Sequence, residues 1–181
     1  MATERGDRQM AEAETEDPAE RLSFLIWHAQ RAVNARLEEA LRPLGLTASQ
    51  YGSLSNLVHV GELSGADLAR AAGLTPQSIA VGLAQLLAKG WIGRRPHPVH
   101  GRVSLHAITP EGKKIWREAD HRVAAIEQEI LRAIPAGRRG DWREELVAVI
   151  SALGATPPEA AQALWPSIST PPGARSRRRG S

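Results

Sequence analysis

Residues Leu63–Ile108 read LSGADLARAAGLTPQSIAVGLAQLLAKGWIGRRPHPVHGRVSLHAI, and this stretch decides the fold. Its first half contains two short segments with the apolar spacing of helices, separated by the turn sequence AAGLT. Ser64 and Thr75 each precede one of these segments as N-cap residues, and Pro76 occupies a first-turn position that needs no amide hydrogen. Two short β-type segments follow. Helix, turn, helix, strand, loop, strand is the order of a winged helix-turn-helix.

The turn between the two short helices predicts a compact packing unit. Gly73 lies where the chain needs a left-handed backbone conformation, which glycine adopts without strain. We expect Leu68, Leu74 and Ile79 to fill the small core behind this turn. A unit of this kind places its second helix in the major groove of DNA.

The loop between the two predicted strands is basic and contains no acidic residue. Between positions 89 and 102 the net charge is +4, from Lys89, Arg94, Arg95 and Arg102. Pro96 and Pro98 stiffen the loop, so that little conformational entropy is lost when a partner orders it. A stiff loop without carboxylates suits DNA phosphates, and Arg102 can reach a narrow minor groove, where the negative potential is enhanced.

Helical spacing of apolar residues continues on both sides of this module. Thr47 and Gln50 form a capping-box pattern before one helix, and Thr109 followed by Pro110 starts another. We therefore predict a mainly α (α+β) protein with about six helices and a two-stranded β wing. The predicted helices cover about residues 18–41, 47–60, 64–73, 75–90, 109–133 and 141–153.

The charge distribution separates the ends of the chain from its middle. Residues 1–20 carry two Arg and seven Asp or Glu, whereas residues 155–181 carry four Arg and one Glu. We expect residues 1–17 to be a disordered acidic segment and residues 155–181 a disordered basic tail rich in Pro and Arg. The folded domain is then expected over residues 18–154.

Composition excludes several classes of protein. The chain has no cysteine, so disulfides and Cys-ligated zinc are excluded and a cytoplasmic protein is expected. No apolar run approaches the ~20 residues of a membrane span, and the acidic N-terminus lacks the apolar core of a signal peptide. We find no nucleophile elbow, no phosphate-binding loop and no paired carboxylates in context. We therefore expect neither an enzyme nor a cofactor.

The six histidines raise the alternative of a metal sensor. Three of them, His97, His100 and His106, lie on or beside the basic loop. They are too scattered over a flexible hairpin for a closed site, and no HExxH-type pair occurs. We therefore predict no metal site.

The segment from Leu46 to Gly112 resembles the MarR (multiple antibiotic resistance regulator) family of winged helix-turn-helix transcriptional regulators. The matching words are GLTASQY, LSGADLARAAGLTPQSI, LLAKGWIGR, the proline-bracketed wing that ends in Arg102, and AITPEGKKIW. With its flanking helices, the resemblance covers roughly residues 20–153. It implies a homodimer in which helices at about 18–43 and 110–153 interlock and hold apart two winged modules at about 46–109. It also implies a ligand-responsive regulator, most often a repressor, that binds a pseudo-palindromic operator in double-stranded DNA.

The DNA-contacting positions differ from the family's usual pattern. Where members often carry Ser or Thr followed by Arg on the recognition helix, this chain has Ala80 and Val81. Where the wing usually has Asp-x-Arg, with the Asp bracing the Arg, this chain has His100-Gly101-Arg102, so a protonated His100 would repel Arg102. We expect weaker or more shape-dependent sequence readout. The expected DNA-binding residues are Ser64, Thr75, Gln77, Ser78, Val81, Gln85, Arg94, Arg95, His100 and Arg102.

The resemblance further implies a small aromatic or phenolic effector between the dimer helices and the winged module. The expected lining residues are Trp27, His28, Arg31, Tyr51, His59 and Trp116. Ordinary interface packing is the alternative interpretation of these aromatic side chains. For the whole protein, the alternative is a winged-helix module used for protein contacts, or for DNA binding of low specificity without a small-molecule ligand.

Overall fold

The computed structural model describes residues 17–155, and the structural statements below concern that part of the chain. The disorder predicted for residues 1–16 and 156–181 lies outside the described residues. Short 3-10 turns occur at Pro18–Glu20, Arg42–Leu44 and Ala136–Arg138. The α-helices are α1 (Leu22–Leu41), α2 (Ala48–His59), α3 (Gly65–Ala72), α4 (Pro76–Ala88), α5 (Pro110–Ala133) and α6 (Arg139–Ala152), and the strands are β1 (Leu63–Ser64), β2 (Ile92–Pro96) and β3 (Ser104–Ile108).

The predicted two-stranded β wing is confirmed by β2 and β3, and a third strand joins the same sheet. This sheet is antiparallel in the order β1-β3-β2, and β3 pairs with β2 from Ile92↔Ile108 to Pro96↔Ser104. The additional strand β1 is only two residues long and pairs Leu63 with His106. Two residues are too few to show a period, so no sequence pattern predicts this strand. This strand attaches the start of α3 directly to the wing, defined as residues 92–108.

The predicted helix ends need two corrections. The first helix was expected to run unbroken from Pro18, but Arg21 is extended (ψ 128°) and separates a 3-10 turn from a 20-residue α1. The last helix was expected to begin at about residue 141, but α6 begins at Arg139, directly after a 3-10 turn. Neither start has a side-chain cap, so the sequence did not mark them.

The caps predicted for the central helices are confirmed. Thr47 accepts the amide of Gln50 in a capping box, and Thr75 accepts the amide of Ser78. Gly73 has φ 62°, the left-handed conformation expected at the turn. These bonds satisfy amides at helix starts that have no partner within the helix.

One prediction about the core is wrong. Leu68 and Ile79 are buried as expected, but the side chain of Leu74 is 41% exposed. Leu74 lies in the linker between α3 and α4, where its amide donates to the carbonyl of Ala69 and closes the end of α3. The apolar contribution behind the turn comes instead from Leu83 and Leu86 of α4.

A junction at Trp91 joins the wing to α5. The carbonyl of Trp91 accepts the amide of Thr109 at 3.0 Å and its hydroxyl at 3.1 Å, and this hydroxyl also donates to the carbonyl of Gly90. The same Thr109 oxygen caps α5 by accepting the amide of Gly112. A Cβ atom at Gly112 would overlap the Trp91 carbonyl. The close approach of α5 to β2 therefore requires glycine here.

No single helix among residues 17–155 is both long and apolar enough to cross a membrane. α3 and α4 reach the required length and apolar character only when they are counted together, and the chain bends by 115° between them.

We predict that Gly112→Ala lowers the free energy of unfolding by about 3 kcal/mol, because the added methyl group forces α5 away from Trp91. Urea denaturation followed by circular dichroism measures this change. The matched control is Gly52→Ala in the middle of α2, where a Cβ meets nothing within 4 Å. This control should raise stability by about 0.5–1 kcal/mol. Equal effects of the two substitutions would contradict the role given to the junction.

Candidate nucleic-acid interface

α4 has a buried side and an exposed side. Ile79, Leu83 and Leu86 are buried in the core. Gln77 and Val81 lie on the opposite side, one helical turn apart, and the side chain of Val81 is 62% exposed. α4 therefore presents an exposed surface of the kind that a recognition helix needs.

The polar side chains expected on α4 differ in what they already bind. The Ser78 hydroxyl lies 2.9 Å from the Thr75 hydroxyl, within the helix cap. Gln85 accepts a hydrogen bond from the side-chain amide of Gln50. The side chain of Gln77 makes no hydrogen bond within residues 17–155. Of these polar side chains, Gln77 is therefore the one that could bind a new partner without first losing a bond.

Ser64 is buried and already bonded. Its hydroxyl donates to the carboxylate of Asp67 at 2.6 Å and accepts the Asp67 amide, in a capping box at the start of α3. Arg70 forms an ion pair with the same carboxylate, and its side chain is 58% exposed. The sequence was not used to predict this ion pair. Its signal is the spacing, because Arg70 follows Asp67 by three residues on a short helix.

The wing arginines fall into two electrostatic classes. Arg94 and Arg102 are exposed, and neither takes part in an ion pair among residues 17–155. Arg95 is different, because its Nε and Nη2 both donate to the carboxylate of Glu62. The hydrogen bonds from Arg95 hold the pKa of Glu62 below its usual range and raise the pKa of Arg95. The loop is free of acid in sequence, but the fold brings Glu62 to it from the segment before β1.

The wing tip, residues 97–103, is organised around a buried imidazole. The Nδ1 atom of His97 accepts the amides of Val99 at 3.1 Å and His100 at 3.0 Å. The ring of His100 stacks on that of His97, with centroids 5.1 Å apart, and remains exposed. The loop thus has a defined turn although it lacks the usual aspartate at position 100.

A cleft of about 570 Å³ separates α3 and α4 from the wing. His106 is buried at its edge, and burial lowers the pKa of this imidazole, as does the nearby positive charge of Arg94. Among residues 17–155 no three His, Asp or Glu side chains are placed to hold a metal ion. The charged or titratable lining residues are Asp67, Arg70, Arg94, His97, His100 and His106.

The six expected effector residues form two groups. On α1, the guanidinium of Arg31 lies 4.9 Å from the centre of the Trp27 ring, and the ring of His28 meets Trp27 edge-on. All three side chains are exposed. They form an aromatic and cationic surface near the start of the described chain.

The second group joins α2 to α5. The Tyr51 hydroxyl donates to Asp120 at 2.8 Å, and burial together with this bond raises the pKa of Tyr51 to about 12. The indole nitrogen of Trp116 donates to Ser55 at 3.0 Å, and the ring of His59 meets Trp116 edge-on. These contacts fix the side chains within one protomer, so this group also fulfils a packing role.

Comparisons of sequence and of structure both find similarity to DNA-binding regulators. A sequence model of the MarR family matches residues 44–103. The chain is 28% identical over 125 residues to the HTH-type transcriptional repressor Rv2887 of Mycobacterium tuberculosis, covering 69% of this chain and 90% of that protein.

Two solved structures share the fold at 24% sequence identity. A mutant MarR from E. coli complexed with operator DNA has a TM-score of 0.67, with 75% of this chain and 99% of that chain covered. CouR from Rhodococcus jostii RHA1 bound to p-coumaroyl-CoA has a TM-score of 0.66, with 75% and 95% covered. These matches show that the chain is similar to MarR-family transcriptional regulators, with the family model matching residues 44–103 and the winged helix-turn-helix fold matching that of solved members.

Proposed function

We propose that this protein is a homodimeric repressor that binds a pseudo-palindromic DNA operator and releases it in response to a small effector. The observation that carries the proposal is the pairing of two surfaces across one cleft. Pro76, Ala80 and Ala84 of α4 border the cleft on one side, next to the exposed Gln77 and Val81, and Arg94 with the wing tip borders it on the other. One surface suits the edges of bases in a groove, and the other suits phosphates.

The relatives support three parts of this proposal, namely repression, DNA binding and a small effector. Rv2887 is named a transcriptional repressor, the MarR structure contains operator DNA, and CouR contains p-coumaroyl-CoA. We propose an aromatic or phenolic effector for this protein as well. The Trp27–Arg31 pair on α1 and the Tyr51–Trp116 group are the surfaces that would meet it, since stacked rings beside a cation suit an aromatic anion. An assignment to the cytoplasm follows from the proposed action on DNA.

The ends of the described chain supply the argument for a dimer. α6 has no fully buried residue, and three of its large apolar or aromatic side chains, together with Leu153 just after its end, are exposed. α1 is similar, because only Leu41 at its end is fully buried. Apolar surface of this extent usually indicates an interface between chains. We propose that helices at about 18–43 and 110–153 form this interface around winged modules at about 46–109. The exposed apolar residues are Leu22, Phe24, Leu25, Ile26 and Trp27 on α1, Trp142, Leu146 and Val149 on α6, and Leu153 directly after α6.

A second candidate function is DNA binding of low specificity, or contact with another protein, without an effector. The exposed side of α4 favours it, because Ala80 and Val81 offer no hydrogen bond to bases. Affinity that depends on salt but not on DNA sequence would identify this function. Affinity that distinguishes the gene's own upstream region from a scrambled fragment would identify an operator-binding regulator.

We predict that Arg102→Ala weakens binding to the upstream region about tenfold and lowers the slope of log affinity against log salt by about one, because one unpaired cation is removed. Fluorescence anisotropy over a salt series measures both quantities. Arg132→Ala, at an exposed position near the end of α5, is the matched control and should leave both unchanged. Absence of binding by the unmodified protein at low salt would overturn the proposal.

We predict that Glu62→Gln tightens DNA binding and makes the salt slope steeper by about one, because it releases Arg95 from its ion pair. In the unmodified protein, Arg95→Ala should cost less affinity than Arg102→Ala. Glu145→Gln is the control. It removes the same charge from another ion pair, between Glu145 on α6 and Arg138 in the 3-10 turn before it. If Glu62→Gln and Glu145→Gln behave alike, then Arg95 is not restrained in the way proposed.

We predict that Leu146→Asp converts the dimer to monomers, because it places a charge in an apolar interface. Sedimentation equilibrium measures the molecular mass in solution. Val81→Asp, at an exposed apolar position of α4 outside the proposed interface, is the matched control and should remain dimeric. An unmodified protein that sediments as a monomer would contradict the proposed interface.

A further inference from the structure

We propose that His97 is the residue that holds the wing tip in its DNA-binding shape, and that it does so only as a neutral imidazole. DNA affinity should therefore fall when the protein is acidified. The inference rests on the proposed function in one respect, namely that the wing contacts DNA. The state of His97 itself can be tested on the free protein.

Three hydrogen bonds between His97 and the backbone of the loop close the turn between β2 and β3. Its amide donates to the carbonyl of Val103 at 2.8 Å, which continues the pairing of the two strands by one bond. Its Nδ1 atom then accepts the amides of Val99 and His100. The carbonyl of His100 in turn accepts the amide of Val103 at 2.7 Å. A titratable nitrogen therefore occupies the position where loops more often use a carboxylate or an amide oxygen.

These bonds fix the protonation state of the ring. A nitrogen that accepts two N–H groups must carry a lone pair, so the single ring proton lies on Nε2. Adding a second proton places a hydrogen on Nδ1, facing two amide hydrogens, and both accepted bonds are lost. Nε2 gives no compensation, because it is buried and has no hydrogen-bond partner among residues 17–155. The whole residue is only 5% exposed.

The charged groups that share the cleft with His97 are mainly basic. From the wing, the cleft receives Arg94, His106 and the stacked ring of His100. From α3 it receives Asp67 and Arg70, but this carboxylate already pairs with Arg70 and caps the helix. The side chains that α4 contributes are without charge, namely Pro76, Ile79, Ala80, Leu83, Ala84 and Leu87. A protonated His97 would therefore add charge to a region that is already positive.

The turn closed by His97 contains Arg102. The bonds between His97, His100 and Val103 lie on both sides of this arginine and restrict the backbone that carries it. When the bonds at Nδ1 are lost, the free loop is less ordered. DNA binding must then offset the entropy that the loop loses when it becomes ordered. His97 is thus a positioning residue, and it fulfils from the other side of the turn the role that a wing aspartate would have at position 100.

The test compares DNA binding by the full chain at about pH 8 and about pH 5.5 at constant ionic strength, on both sides of the range where ordinary imidazoles titrate. General protonation of histidines adds positive charge and should strengthen DNA binding at the lower pH. We expect the opposite, a loss of about tenfold, from the two broken bonds. Asparagine accepts N–H groups at every pH. His97→Asn should therefore bind at pH 8 almost like the unmodified protein and should lose no affinity at pH 5.5.

His100→Asn is the matched variant, because it tests whether repulsion between His100 and Arg102 causes the effect. The loss on acidification should persist in this variant. If the loss disappears in His100→Asn and remains in His97→Asn, the proposal is overturned. His97→Ala should bind weakly at both pH values, and His97→Asn should rescue it at pH 8.

A measurement without DNA separates this inference from the proposed function. Amide hydrogen exchange of Val99 and His100, corrected for intrinsic rates, should become faster on acidification in the unmodified protein but not in His97→Asn. This result would support the inference even if no DNA fragment bound. Exchange at these two amides that is equally slow in His97→Ala would overturn it.

Discussion

The carbonyl group of Trp91 is the point on which the arrangement of the molecule depends. It lies at the end of the recognition-helix segment and the start of the wing, and it receives both donor groups of Thr109. Thr109 caps α5, and Gly112 allows the α5 backbone to approach the same oxygen. This peptide group therefore connects the winged module to the long helix that leads to the apolar end of the protomer. Movement of one part relative to the other must disturb these bonds.

Charge pairing decides which of the basic residues are available to a polyanion. A count of arginines treats Arg94, Arg95 and Arg102 as equal, but Glu62 partly neutralises Arg95. The available cations therefore lie at the strand position of Arg94 and at the wing tip. α4 offers few free hydrogen-bonding groups, so the spacing of these cations and the shape of the groove contribute a large share of any selectivity.

Most of the local structure could be predicted from the sequence, because its signals act over three or four residues. Caps at Thr47, Thr75 and Thr109 and the left-handed Gly73 follow from such short-range rules. The sequence did not predict what arises from distant positions. The Glu62–Arg95 pair joins residues 33 positions apart, and β1 is recognisable only by its partner β3. The expected DNA-binding and effector residues remain predictions, although the structure shows that Ser64, Ser78 and Gln85 already have partners.

The length of α5 gives a physical reason why an event at the helical end can reach the wing. Its 24 residues span about 36 Å, and after Gly112 the helix contains neither glycine nor proline. A helix without such breaks transmits rotation along its axis instead of bending. At one end it is fixed to the wing by Thr109 and Gly112, and along its length it contacts α2 through the bond from Tyr51 to Asp120. A ligand that separates α2 from α5 would therefore turn the helix that sets the direction of the wing. In the proposed dimer, this rotation of α5 would change the distance between the two wings. Binding to a two-fold operator depends on that distance.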